Sequence, residues 1–177
     1  MALTISGYAW ARWNWRKFAA ILTIEDPVPP LRLRIAIPPA QQHAHLILQF
    51  SDLNCPQING NRDIYRLAEN PQIAEGLEFG RLHDDLLIHC EFGLGRAPAL
   101  AMGILMERLH DEQAVFAELQ RLRPYAVPNR HVVNLVDDIL NSNLSAGLDA
   151  WDARNQWSLL RCLMWRNNGF TNAQVGN

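Results

Sequence analysis

The sequence predicts an α/β fold: a single three-layer domain with a mostly parallel central sheet flanked by helices, and an extra C-terminal helix. Three observations predict it. Short apolar runs of strand length are interleaved with stretches of helical periodicity. The stretch 98–109 is apolar nearly all round, the mark of a central buried helix. The chain has 177 residues, 49% apolar and 19% charged, so one domain can bury a real core and the composition is not that of a disordered chain.

Each element follows in order. Residues 2–6 (ALTIS) and 19–24 (AAILTI) read as strands, the second stopped by Glu25-Asp26-Pro27. Between them Trp10, Trp13 and Trp15 lie in a segment compatible with either a short helix or an aromatic-rich loop. Residues 31–37 alternate with the period-two pattern of a half-buried strand, bracketed by Pro-Pro pairs at 29–30 and 38–39. HLILQF, 45–50, is a strand that runs into the polar loop SDLNCPQINGNRD. Pro71 opens a helix over 71–80, since proline is tolerated in the first turn. A turn at His83-Asp84-Asp85 leads into LLIH, 86–89, a compact buried strand, and then into the loop CEFGLGR before the 98–109 helix. Two amphipathic helices follow, near 111–122 (Val115, Leu119, Leu122) and 129–140 (Val132, Val136, Ile139). The domain body is assigned to 1–150. Residues 151–177 form a helical extension packed on it, with Trp157, Leu160 and Met164 at i, i+3 and i+7 and a stop at Asn167-Asn168-Gly169.

Composition excludes several function classes. Sixteen Lys and Arg against eighteen Asp and Glu leave no basic excess, which speaks against non-specific nucleic-acid binding. No run approaches the ~18–20 consecutive apolar residues of a membrane span, and the start lacks the order of a signal peptide, so a cytoplasmic protein without a membrane partner is expected. Three cysteines, Cys55, Cys90 and Cys162, are too few for a disulfide scaffold and leave at least one thiol free. Cys162 reads as core filler on the tail helix. His43 and His45 have His-x-His spacing without a convincing third ligand, so no metal and no cofactor are expected.

The informative feature is the loop between the 86–89 strand and the buried helix: His89-Cys90-Glu91-Phe92-Gly93-Leu94-Gly95-Arg96-Ala97. A strand-to-helix loop points backbone N–H groups at a common centre beside the positive end of the helix dipole. Gly93 and Gly95 permit the positive φ angles such a nest needs. Arg96 closes the cradle as a two-pronged donor matched to phosphate oxygens. Cys90 sits at the focus, where donors that hold an oxyanion also favour a sulfur anion. Pro98 falls in the first helical turn, where its missing N–H costs little.

His-Cys, five residues, then Arg, with glycine at the third and fifth places after Cys, resembles the signature of the protein tyrosine phosphatase superfamily. ILTIEDP (21–27), ILQFSDL (47–53), LLIHC (86–90) and RPYAVPN (123–129) resemble, in order, landmarks of a bacterial dual-specificity-type branch. The resemblance covers roughly residues 20–150 and leaves the tail outside. It implies Cys90 as nucleophile, Arg96 as phosphate clamp, the 91–96 segment (Glu91, Phe92, Gly93, Leu94, Gly95, Arg96) as phosphate-binding loop, and His89 as the residue that holds Cys90 oriented and ionised. The implied reaction is hydrolysis of a phosphomonoester through a cysteinyl-phosphate. Two positions depart from the pattern. Ala97 stands where the family usually has Ser or Thr, and Glu91 sets a carboxylate one residue from the nucleophile. Both a working phosphatase and a phosphate-binding protein with little turnover therefore stay open.

The acid that protonates the leaving group is not fixed by spacing. Asp52 resembles the family's mobile-loop aspartate in position, and Asp63 in NGNRD is the fallback, with a helix- or turn-capping role as its other reading. Asp84 and Asp85 lie before the nucleophile strand, at the wrong end for a site above the C-terminal strand edges. Cys55 lies three residues after Asp52, which leaves a reversible disulfide with Cys90 open. Glu91, Phe92 and Leu94 in the loop disfavour a polyanionic substrate and favour a phosphorylated protein side chain or a small phosphomonoester. A sulfur-transfer enzyme of rhodanese type, which also cradles an anion around a cysteine, is the rival enzyme class; the oligomeric state is not legible.

Overall fold

The computed structural model describes residues 2–28, 35, 37, 44–54 and 65–155. Chain order is β1 (Ala2–Gly7), α1 (Tyr8–Asn14), a 3-10 turn (Trp15–Lys17), β2 (Ala20–Glu25), β3 (His45–Gln49), α2 (Asn70–Leu82), β4 (Asp85–Cys90), α3 (Arg96–Leu109), α4 (Glu112–Leu122), α5 (Arg130–Leu140) and α6 (Leu144–Arg154). The four described strands form one sheet in the order β1-β4-β2-β3, every neighbouring pair parallel. The α/β architecture expected from the sequence is thus the one observed, and the segment between β1 and β2 is a helix followed by a 3-10 turn.

Period-two alternation divides the sheet into two faces. Leu3 and Ile5, Leu22 and Ile24, Leu48, and Leu86, Ile88 and Cys90 pack into the main core against the α2–α6 side. Ile21 and Leu87 point the other way, into a smaller cluster with Ala11 of α1, Trp15 and Ile37. β4 is buried on both faces because it is a central strand of a parallel sheet, which is why its sequence reads as an uninterrupted apolar run. α3 lies across this core with every residue from Arg96 to Leu105 buried, as its all-round apolar sequence requires.

Local chemistry sets the helix ends. Gln72 Oε1 accepts from Glu69 N at 3.1 Å at the start of α2, with Pro71 in its first turn. Asp111 caps α4 by accepting from Ala114 N at 3.0 Å, and Asn129 caps α5 by accepting from Val132 N at 3.0 Å. His110 and Asn141 close α3 and α5 in the left-handed conformation, φ 51° and 52°.

α6 is an addition to the sequence reading, which placed no helix between 140 and 151. Asp137 supplies the donors' partner at its start: Oδ1 accepts from Leu144 N and Oδ2 from Ser145 N, each at 2.8 Å. Trp151 is fully buried and donates Nε1–H to Ala126 O at 2.9 Å, pinning α6 onto the 123–129 segment. The 31–37 strand falls outside the described residues except for Ile35 and Ile37, neither of which lies in a strand. The tail stripe of Trp157, Leu160 and Met164 also lies outside them, as do His43, Cys55, Asp63 and Cys162.

Trp151→Ala should lower the unfolding free energy by about 3–5 kcal/mol, through lost burial and a cavity beneath α6. Denaturant titration of the two proteins checks this, and a loss within ~0.5 kcal/mol would mean that α6 docks weakly.

Candidate active site

β4 ends at Cys90 and α3 begins at Arg96, so residues 91–95 must reverse direction in five residues at the C-terminal edge of the sheet. Gly93 makes the turn with φ +68°. A Cβ there would overlap the Ser6 carbonyl and Gly7 N of β1, so glycine is required by conformation and by space. The loop is held from outside as well. Tyr8 N donates to Glu91 O at 3.0 Å, Val127 N to Leu94 O at 2.7 Å, and Asn129 N to Gly95 O at 3.2 Å. Arg123 donates Nε–H to Gly93 O at 3.0 Å and Nη2–H to Phe92 O at 3.1 Å. Carbonyls tied back in this way leave the loop's N–H groups available for its inner side.

Cys90 is buried, and its Sγ accepts from Gly93 N at 3.3 Å. Arg96, also buried, donates Nη1–H to Phe50 O at 2.8 Å and to Asp26 Oδ1 at 3.2 Å. Its Nε is buried with no hydrogen-bond partner. Burial opposes its charge, but Cys90, Asp26, Asp52 and Glu91 outweigh that and raise its pKa. Burial pushes Arg123 the other way, only partly offset by Cys90.

Asp52 lies against the end of the same loop. Its Oδ1 accepts from Asn129 Nδ2 at 2.8 Å, and a Cβ on Gly95 would stand 2.5 Å from Oδ2. The structure therefore brings Cys90, Gly93, Gly95, Arg96 and Asp52 together. Asp85 stays at the far end of β4, where Oδ2 accepts from Ala19 N at 3.1 Å. The sequence reading named neither Asp26, Arg123 nor Asn129 as site residues. The last two lie in RPYAVPN and Asp26 in ILTIEDP, both segments that stood out on other grounds.

His89 faces the opposite side of the sheet from Cys90. Its Nε2 is 2.8 Å from Thr23 Oγ1. Burial, then the field of His45, push its pKa down to about 3; the Cys90 backbone pulls upward and Arg96 adds to the downward shift. No group of three or more His, Cys, Asp or Glu able to hold a metal occurs among the described residues. No helix there is long and apolar enough to cross a membrane.

No family model and no curated protein matches the chain. Solved structures do. The Cydia pomonella PTP-2 phosphatase is similar with a TM-score of 0.55 at 17% identity, over 78% of this chain and 85% of that one. The human tyrosine phosphatase-like serine/threonine/tyrosine-interacting protein gives 0.53 at 16% identity, over 78% and 91%. Human DUSP28 gives 0.52 at 16% identity, over 84% and 94%. The fold is thus that of the dual-specificity-type phosphatases.

A histidine neutral down to about pH 3 in the folded chain, but protonating near 6.5 when unfolded, makes the unfolded state the better proton binder between those values. Its stabilising contribution is complete above pH 6.5 and falls with pH by up to about 1.4 kcal/mol per unit. Denaturant titrations at pH 7 and pH 5 should show wild type losing about 2 kcal/mol more than His89→Gln. Equal losses would mean that His89 is not held neutral.

Proposed function

We propose that the protein is a cysteine-dependent phosphatase that hydrolyses phosphomonoesters through a cysteinyl-phosphate. The observation that carries this reading is the loop itself: Cys90 Sγ, the Gly93 N–H and the buried, unpartnered Arg96 Nε lie in one strand-to-helix turn whose carbonyls are tied outward. Phosphate oxygens are the acceptors such a cradle is built for. Membership of the tyrosine phosphatase superfamily is supported by the shared fold together with His-Cys-x5-Arg.

In the first step the Cys90 thiolate attacks phosphorus in line with the leaving oxygen. The S–P bond forms as the P–O bond breaks, and Asp52 gives its proton to the departing alkoxide or phenoxide. Arg96 and the loop N–H groups hold the equatorial oxygens, whose charge they match in the transition state. In the second step the Asp52 carboxylate takes a proton from water, which attacks phosphorus and releases inorganic phosphate and the Cys90 thiolate. The site's position against Gly95, with Asn129 holding Oδ1, supports Asp52 for this role. Glu91, Phe92 and Leu94 favour a singly phosphorylated substrate, a phosphorylated protein side chain or a small phosphomonoester, over a polyanion. A soluble intracellular setting fits that substrate.

A second reading, phosphate binding with little turnover, is favoured by Ala97, which is fully buried at the start of α3 and brings no hydroxyl to the sulfur.

Release of phosphate from an aryl phosphate decides between them: wild type should turn over and Cys90→Ser should not. Arg96→Lys should lower kcat about 10²–10³-fold, because an ammonium cannot reproduce the guanidinium fork. Wild-type phosphate release no greater than that of Cys90→Ser, with phosphate still bound, would establish the binding reading.

Ala97 gives a separate expectation. Sulfur leaves as thiolate only in the second step, so the missing donor slows breakdown of the cysteinyl-phosphate by roughly 10- to 100-fold. Rapid mixing should show a burst of phenol before slow turnover, and Ala97→Ser should shrink the burst and raise kcat with kcat/KM little changed. No burst in wild type, or an unchanged kcat in Ala97→Ser, would place the slow step elsewhere.

A further inference from the structure

Behind the loop, on the sheet face away from the main core, three polar side chains form a chain. Thr23 Oγ1 is 2.8 Å from His89 Nε2 and 2.8 Å from His45 Nε2. Strand register explains how they meet. Thr23 pairs directly with His89 across β2 and β4, and His45 pairs with Ile21, one alternation below Thr23 on the same face. Thr23 and His89 are buried, while His45 is half-buried and lines an open cleft of ≈ 400 Å³ with Glu25, Ile47 and Gln49. The chain thus runs from solvent to the residue that precedes the nucleophile.

Proton counting makes this chain directional. The Thr23 hydroxyl has one hydrogen and so donates to only one imidazole; the other imidazole must donate to it. If His45 Nε2–H donates to Thr23, then Thr23 donates to His89 Nε2, and neutral His89 carries its hydrogen on Nδ1. In the reverse arrangement His89 carries it on Nε2. Besides Thr23, the Cys90 backbone acts on the ring and favours a proton on it, while the hydroxyl of Ser6, the register partner of His89 on β1, is buried without a hydrogen-bond partner. The direction of the bond to Thr23 and the placement of the ring proton are therefore linked, with the Cys90 backbone on the same ring.

We propose that Thr23 and His45 are positioning residues for Cys90, acting through His89 by fixing which of its ring nitrogens carries the proton. The inference rests on Cys90 being the nucleophile of a phosphatase. His89 and Cys90 share a peptide bond, so the ring's hydrogen bonding sets the backbone on which the sulfur is carried. Burial of His89, with Arg96 and His45 as the charged and titratable groups acting on it, keeps it neutral, which is the state in which a tautomer choice exists.

The test uses two readouts on the full chain: hydrolysis of an aryl phosphate, and the pH profile of Cys90 alkylation by iodoacetate. Thr23→Val keeps the shape and removes the hydroxyl. It should lower kcat about tenfold with KM within about twofold, and displace the alkylation profile. Thr23→Ser, which restores the hydroxyl, should behave as wild type in both. His45→Gln, at the half-buried end, should displace the profile in the same direction by less, and it decides the matter if Thr23→Val does not fold. Wild-type values in Thr23→Val, or an equal defect in Thr23→Ser, would overturn the proposal, the latter by showing that packing alone is at work. Should wild type hydrolyse no phosphomonoester, the phosphatase reading falls, while the alkylation profiles of the variants still decide whether the chain governs the thiol.

Discussion

The contact on which the site depends is the wedge of Gly93 against the end of β1. At φ +68°, with the Ser6 and Gly7 backbone where a Cβ would stand, this residue lets the loop fold back tightly enough for its own N–H to reach Cys90 Sγ. The wedge exists because β1 and β4 are parallel neighbours in register, Ser6 opposite His89 and Gly7 opposite Cys90. Sheet topology therefore determines loop shape. The outward ties from Tyr8, Arg123, Val127 and Asn129 then hold a conformation that five residues without regular structure would not keep alone.

Two arginines serve this loop in different ways. Arg123 commits Nε and Nη2 to the carbonyls of Gly93 and Phe92, so it acts as a brace. Arg96 is anchored through Nη1 alone, by Phe50 O and Asp26, and keeps a buried Nε uncommitted. A buried guanidinium needs compensation, and Cys90, Asp26, Asp52 and Glu91 supply it. Glu91, which the sequence presented as a departure beside Cys90, contributes to the field that keeps Arg96 charged.

The elements legible in the sequence were those whose burial is uniform along the segment. LLIH and PALAMGIL announce a strand and a helix enclosed on all sides, and His89 to Ala97 announces the loop between them, because each is local. What stayed hidden depends on partners distant in sequence. Arg123 meets Gly93 thirty residues away, Arg96 meets Asp26 seventy away, and Asn129 meets Asp52 seventy-seven away. No periodicity records such pairs. α6 was unread for a local reason: Leu144, Leu148 and Trp151 do repeat at helical spacing, but Gly147 and the Asn-Ser-Asn turn before them weaken the signal. Thr23 gave a fainter clue, a lone hydroxyl in the apolar run AILTIE.

Asn129 shows how stability and chemistry share one side chain. Its Oδ1 accepts from Val132 N and caps α5, while its Nδ2 donates to Asp52 Oδ1 and to Leu53 O. Its backbone N–H donates to Gly95 O. The helix start, the loop carrying Asp52 and the end of the 91–95 loop are thus joined through a single buried residue. Aspartate would serve as a cap but would set a second carboxylate against Asp52 and lose both donors; serine would cap with too short a side chain to reach Asp52. Only an amide satisfies the helix and the carboxylate together, which makes the geometry of the proposed acid a consequence of how α5 begins.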